Sequence, residues 1–549
     1  MSQKYGNKFE ITAVLLAVMI ALVLLFQARS LYIFPQPDSA RWWGDETPQM
    51  LELRAEVHDG YAHIPTALGS SVAITNGLIR GNSWLAAGIY GIPASLVPSS
   101  YSIVSVGRTI TFLLSLILIA VLYRVLRRFE VERALALLAI LILVTTRSFF
   151  IASHAARLDI AAGVAVLAFV WYLSSRYDLL RQDRWIPGAG WFFFYGTIAL
   201  LFATLSIHLL TLLALLSIYT LWRFRALHHP IVIVAALGGV VIVLALLLTI
   251  YALSGAPVSL YSPSIASNQF QSVISGLPIL RPFSRSVQVA NILERVQGLW
   301  SEAPQFLIFL IGAVIIIFSK RRQHPVTSGT SFIFGSAIVI AISWLLFQSP
   351  ALYYYVHVLP LFILAFTIAV GSRLNKARLS QWIATGLGIL LCYCSISDAV
   401  TAKATATIIE NNNKAALHAV VQAIDTTSGA RPTVLAQNPA IAYLEHQPNV
   451  RLITAHLVSF PVSKRPLADV LESIPVQYLL LYKARDRSDY SLDYHDLKPI
   501  ADSIGSVILQ KSGILFDVHR DYFNPATFLD SDTSAIDTLI LYRLPVLAR

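Results

Sequence analysis

The chain has 549 residues, of which 56% are hydrophobic and only 13% charged, with a formal net charge of +11. Soluble domains carry nearer a quarter charged residues, and the apolar residues here fall in blocks of about twenty, the length that crosses about 30 Å of hydrocarbon. An ordinary soluble protein is therefore excluded, and because the basic excess sits in short loops it sets membrane orientation and gives no reason to expect a nucleic-acid partner.

Lys4 and Lys8 precede the first apolar block, Ile11 to Phe26. That block is longer than a signal-peptide core and no small-residue cleavage site follows, so it reads as a retained span with the N-terminus in the cytoplasm. The chain is then outside from about Ser30 to Ser100. This loop carries Arg41-Trp42-Trp43-Gly44-Asp45-Glu46-Thr47, two adjacent acids among residues suited to a membrane interface. Within it, Trp84 to Val97 is apolar but holds Gly88, Gly91 and Pro93, which fits an interfacial or re-entrant segment, with a short true span as the alternative.

A regular alternation follows. Tyr101–Tyr123 crosses inward to Arg124, Arg127, Arg128 and Arg133, Ala134–Thr146 returns, and Leu158–Ser175 goes in to Arg176, Arg181 and Arg184. Runs at 189–204 and 207–222 make an outside hairpin ending at Arg223 and Arg225. Ile231–Leu253 goes out to a second long external loop at 254–302, broken by Pro257, Pro263, Pro278 and Pro282. Phe306–Phe318 goes in to Lys320-Arg321-Arg322, Phe332–Phe347 goes out, Tyr354–Val370 goes in to Arg373, Lys376 and Arg378, and Trp382–Ile396 goes out. Every cytoplasmic turn in this frame carries basic residues, as the positive-inside rule requires. The chain is thus expected to be a polytopic α-helical membrane protein of about eleven spans over residues 1–399, with an extracytoplasmic α/β domain at 400–549. The strands expected there are Thr433–Ala436, Val450–Thr454, Val476–Tyr482, Ser506–Gln510 and Thr538–Tyr542, alternating with helical segments at Asn413–Ala423, Leu467–Glu472 and Leu497–Ile504. No G-x-G-x-x-G and no P-loop occurs. Cys392 and Cys394, two apart on one apolar run, suit neither a disulfide nor a metal pair.

This frame gathers the unusual polar residues at one membrane face. Asp45 and Glu46 follow span one, His154, Arg157 and Asp159 lie where a span begins, His208 sits in the hairpin, and Arg281 and Arg285 lie in the second loop. Ionisable groups in a span cost about 2.5–3.5 kcal/mol or more, which favours function over accident. Arg157 and Asp159 could instead form a structural ion pair, His208 could be an ordinary interface residue, and Arg281 and Arg285 could be ordinary solvated loop residues. Tyr353-Tyr354-Tyr355, followed by His357 and Pro360, suits an aromatic belt as well as a binding site, with Tyr355 a supporting candidate. Cations would bind the phosphate of a lipid-linked donor and a carboxylate would take a proton from a hydroxyl acceptor.

These residues resemble the type C glycosyltransferases, the group that includes the aminoarabinose transferases of lipid A and the protein O-mannosyltransferases. Asp45-Glu46-Thr47 resembles their Asp-Glu motif, Arg108 in Val106-Gly107-Arg108 resembles the arginine they carry there, and Ser153 to Asp159 resembles their second acidic element. Residues 10–400 follow the resemblance, and the tail matches in position only. Pro48 stands where the aminoarabinose transferases have arginine, His63-Ile64-Pro65 is the nearest stretch to their Lys-Pro-Pro element, and His208 stands for a hairpin lysine. The resemblance implies inverting transfer of a sugar from a polyprenyl-phosphate donor to a lipid, glycan or protein hydroxyl at the outer face of a cell (inner) membrane. Asp45 would be the general base, Asp159 would orient donor or acceptor, and Arg157, His208 and Arg281 would hold the phosphate, with Glu46, His154 and Tyr355 in support. No cofactor is required, although a divalent metal ion held by Glu46 and a histidine is compatible with the pattern. The competing readings are a secondary transporter using Arg157 and Asp159, and a non-catalytic subunit of cell-envelope assembly.

Overall fold

In the computed structural model the described residues are 2–31, 86–97, 100–175, 303–319, 328–347, 352–372, 381–424, 431–436, 450–454, 476–483, 497–514 and 537–545. To these are added strands 63–67 and 70–73 and isolated positions at 50, 53, 54, 57, 299 and between 215 and 241. Asp45, Glu46, His208, Arg281, Arg285, the 189–204 run and the 254–302 loop, apart from residue 299, lie outside the described residues.

Backbone amides in hydrocarbon must be satisfied within their own segment, so apolar blocks become helices. Helix α1 spans Ser2–Leu31. A π-helical turn at Ala87–Gly91 and the short α2, Ile92–Ser95, with proline in its first turn, make up the apolar segment before the second long helix. Helix α3 runs Ser100–Arg128, α4 Arg133–Val144, α5 Arg147–Ala152 and α6 Asp159–Ser175. Farther on come α7, Pro304–Ser319, and α8, Ser328–Phe347. A 3-10 helix at Leu352–His357 leads into α9, Leu359–Gly371, and then α10, Gln381–Ala423. Among the described residues, Ile11–Arg29, Ile103–Arg128 and Ile383–Thr405 are long and apolar enough to cross a membrane, and five shorter apolar helices accompany them.

Beyond Arg133, helix α4 is apolar all round, and ten of its twelve residues are buried. A helix of that kind belongs at the centre of a bundle, and α4 packs against α1, α3, α7, α9 and α10. At one end of this bundle Gln27 of α1 donates to the Val144 carbonyl at 2.7 Å and to Ser395 Oγ of α10 at 3.2 Å. At the same level Arg147 Nη2 and Nε donate to the two oxygens of Asp398 at 2.9 and 3.2 Å, a two-pronged bond between α5 and α10.

The tight turn between α3 and α4 shows how a helix end is closed without glycine. Val131 N–H donates to the Leu126 carbonyl and Glu130 N–H to that of Arg127, the paired bonds of a Schellman motif. The motif needs a left-handed residue, and Glu130 takes it at φ 57°. Left-handed backbone costs an L residue about 1–2 kcal/mol, partly offset by the greater entropy glycine loses on folding. Glu130→Gly should therefore stabilise the protein by about 0.5–1 kcal/mol, seen as a higher midpoint in thermal unfolding in detergent.

The last span does not stop at Ile396. Helix α10 continues through the expected boundary at residue 400 to Ala423, because no glycine or proline interrupts the chain after Gly388 and buried Leu417, Val420 and Ile424 keep an apolar stripe. From Asp398 to Ala423 this is a rod of about 38 Å. It packs against β6 of a five-stranded sheet ordered β4-β3-β5-β7-β6. The strands are β3 Thr433–Ala436, β4 Arg451–Thr454, β5 Tyr478–Lys483, β6 Ser506–Ile514 and β7 Asp537–Arg543. Strands β3, β4 and β5 run parallel, whereas β7 is antiparallel to β5 and β6. Each expected strand is present, shifted by two residues or fewer at its start. In the first loop, β1 (His63–Ala67) and β2 (Ser70–Ala73) form an antiparallel hairpin whose register slips between Pro65 and Ala67, and β1 lies against β4.

Candidate active site

The site is built where α5 gives way to α6. Thr146 caps α5 by accepting from the Phe149 amide, but that helix is only six residues long. The chain then turns through Ser153–Leu158 before α6 starts at Asp159, and all of these residues are buried. His154 Nδ1 lies 2.8 Å from the Phe150 carbonyl and 2.7 Å from Ser153 Oγ. A carbonyl can only accept, so Nδ1 carries a proton and Nε2 of the neutral ring is the accepting nitrogen. That Nε2 is buried and has no hydrogen-bond partner among the described residues. The guanidinium of Arg108, 1% exposed, lies within electrostatic reach of the ring.

Arg157 Nε donates to Asp159 Oδ2 at 2.9 Å, and His357 Nε2 lies 3.4 Å from the other carboxylate oxygen. All three are at least nine-tenths buried. Residues two apart do not face each other on a helix. The pair forms because Arg157 precedes the helix and Asp159 opens it. His357 reaches Asp159 because the 3-10 helix packs against both α5 and α6. Gly163, one turn along α6 from Asp159, permits that approach, since a Cβ there would meet the Val356 carbonyl at 3.0 Å.

The Arg157 backbone is fixed as well. Tyr90 Oη donates to its carbonyl at 3.1 Å and sits 3.1 Å from Thr111 Oγ1, which is itself bonded to the Gly107 carbonyl. Gly107 lets this loop press on α3, because a Cβ there would lie 2.7 Å from that of Ala156 and 2.8 Å from Met50 Sδ. Met50 is fully buried and is five residues beyond Asp45 along the chain.

Of the sequence candidates, then, Arg157, Asp159 and His154 lie in one short turn, with Arg108 near His154. Tyr355 is fully buried, not an interfacial aromatic, and belongs to the same 3-10 helix as His357. Asp45, Glu46, His208 and Arg281 lie outside the described residues. Tyr90, Thr111 and His357 join the cluster through tertiary contacts. Only His357 had a sequence signal, as an ionisable residue inside an apolar run. Among the described residues no group of three or more His, Cys, Asp and Glu could hold a metal.

The fold is shared with a solved structure of low sequence identity. The crystal structure of ArnT from Cupriavidus metallidurans bound to undecaprenyl phosphate matches it with a TM-score of 0.52 at 14% identity, covering 96% of this chain and 97% of that one. The same enzyme in the apo state gives 0.49 at 14% identity over 90% and 95%, and the Archaeoglobus fulgidus oligosaccharyltransferase in the apo form gives 0.46 at 12% over 90% and 73%. No protein-family model and no curated protein matches the sequence.

Proposed function

We propose that this protein is an integral-membrane glycosyltransferase that moves a sugar from a polyprenyl-phosphate donor to a hydroxyl acceptor at the extracytoplasmic face. The observation that carries the reading is the buried Arg157–Asp159–His357 cluster, with His154 and Arg108, in a fold shared with an enzyme that was crystallised with undecaprenyl phosphate. Charges at that depth are costly unless they are paired or meet a ligand.

In the proposed reaction Asp45 accepts the acceptor hydroxyl's proton as its oxygen bonds to the anomeric carbon. The bond from that carbon to the phosphate oxygen breaks, and the polyprenyl phosphate leaves with the electron pair. Attack opposite the leaving group inverts the anomeric centre. Arg157, with His208 and Arg281, stabilises the phosphate as charge develops. Asp159 and His357 position Arg157. The buried Met50 beside Gly107, five residues along the chain from Asp45, supports including Asp45 in this scheme. A monophosphate leaving group needs no divalent ion, and a metal held by Glu46 with a histidine would be an addition to this scheme. Retained lipid tests the reading. Mass spectrometry of the purified protein should find a polyprenyl phosphate species that Arg157→Ala loses, and wild-type protein that retains none under mild extraction argues against it.

The extracytoplasmic orientation is part of the proposal. It rests on basic residues at the inner turns and is supported by the contact between β1 of the first loop and β4 of the C-terminal sheet, as expected if both lie on one side. On a background without Cys392 and Cys394, a membrane-impermeant thiol reagent should label cysteines at positions 70 and 430 from outside and leave 181 and 322 unlabelled. Labelling at 181 would reverse the frame.

A further inference from the structure

The turn between α3 and α4 holds a second collection of cations that sugar transfer does not use. Tyr123 and Arg127 are four residues apart on α3, and Arg133 and Leu137 are four apart on α4, so each pair shares a helix face. With Ala13, Val14 and Ala17 of α1 they line a cavity of about 380 Å³, within the usual size range of small-molecule sites. Its α1 wall is apolar and small-sided, and its far rim carries two guanidinium groups.

The local backbone prepares this rim. Arg127 Nη1 donates to the Val131 carbonyl, so the side chain is already partly fixed by the Schellman turn. Arg133 is the first residue of α4, where the helix dipole also favours an anion, and the preceding Glu132 makes no side-chain capping bond. Glu132 faces Arg127 and Glu130 is exposed, but Arg124, Arg127, Arg128 and Arg133 leave the segment with two net positive charges. Beside the cavity, α1 presents Ile11, Val14 and Val18 outward at 59, 60 and 49% exposure, a surface suited to acyl chains.

We infer that this cavity binds the phosphate headgroup of an anionic phospholipid, whose acyl chain lies along α1. Basic pockets between spanning helices recognise such headgroups, and an apolar wall continuous with a lipid-facing stripe favours a lipid over a free phosphate ion. The site is separate from the proposed transfer site, because Arg127 lies nineteen residues along α3 from Arg108, or about 28 Å. A lipid there would clamp α1 to the α3–α4 turn.

The test uses the full chain in nanodiscs or mild detergent, with phosphatidylglycerol and phosphatidylcholine of matched acyl chains as probes and inorganic phosphate as a third arm. Native mass spectrometry should show phosphatidylglycerol retained over phosphatidylcholine by at least about tenfold. Thermal stabilisation should follow phosphatidylglycerol and not inorganic phosphate. The double variant Arg127→Gln/Arg133→Gln should bring the preference to about parity. Ala13→Leu/Ala17→Leu, which fills the cavity and keeps every charge, should lose retention as well. Phosphatidylglycerol preference unchanged in either variant overturns the site, and so does stabilisation by inorganic phosphate equal to that by the lipid. Neither readout involves sugar transfer, so the lipid site and the proposed activity fail or stand separately.

Discussion

Asp45→Asn is expected to lower turnover at least about a hundredfold while donor binding stays nearly unchanged. The asparagine keeps the shape and the hydrogen-bonding capacity of the side chain but cannot take the acceptor's proton. General base catalysis is typically worth about 10²–10⁴-fold. A loss of donor affinity in place of turnover would mean that Asp45 binds the donor instead of activating the acceptor. Glu46→Gln should cost less, unless Glu46 holds a divalent ion, in which case activity would depend on added metal. Single-turnover transfer and equilibrium lipid binding, measured on the same preparations, separate these outcomes.

The second large effect concerns the buried cluster. Asp159→Ala removes the carboxylate that Arg157 and His357 both face, leaving the Arg157 guanidinium in a buried turn without that partner. Breaking a buried pair from one side typically costs about 3–5 kcal/mol, whereas replacing both partners by apolar residues of similar volume is often neutral. Arg157→Met/Asp159→Leu should therefore recover most of the thermal stability lost in Asp159→Ala and recover no sugar transfer. Recovery of both would make the pair purely structural. Loss of both would make the charges indispensable to the fold, leaving no separate catalytic claim for them. Thermal unfolding and donor turnover, read side by side, decide the matter.

The helical frame was legible because hydrocarbon imposes a length and forbids unsatisfied backbone. Apolar runs at 134–146, 158–175, 306–318 and 332–347 reappear as α4, α6, α7 and α8 with small shifts at their ends. The Arg157–Asp159 pair was legible as charge placed where apolar sequence predominates. What the sequence concealed depends on contacts between distant segments. Tyr90 and Thr111 reach the Arg157 carbonyl from the π-helical turn and from α3, and no local pattern announces that meeting. The tyrosine run suited an interface by composition, yet Pro360 near the start of α9 breaks the span and the preceding residues wind into a 3-10 helix that buries Tyr355 and brings His357 to Asp159. The expected boundary at residue 400 marked where α10 turns polar, not where it ends, since the Arg147 bond to Asp398 holds that level of the helix and its apolar stripe resumes beneath the sheet.

The proposed transfer is measured most directly as the consumption of a polyprenyl-phosphate-linked sugar by the purified protein in nanodiscs. Free polyprenyl phosphate and glycosylated acceptor are followed over time for the wild type and Asp45→Asn. Stoichiometric, time-dependent release of polyprenyl phosphate is expected from the wild type, with a rate at least about a hundredfold lower for the variant. Near-normal transfer by Asp45→Asn contradicts the assignment of the base. A wild-type protein that consumes no lipid-linked sugar but carries an ion-driven solute flux through sealed vesicles contradicts the transferase itself.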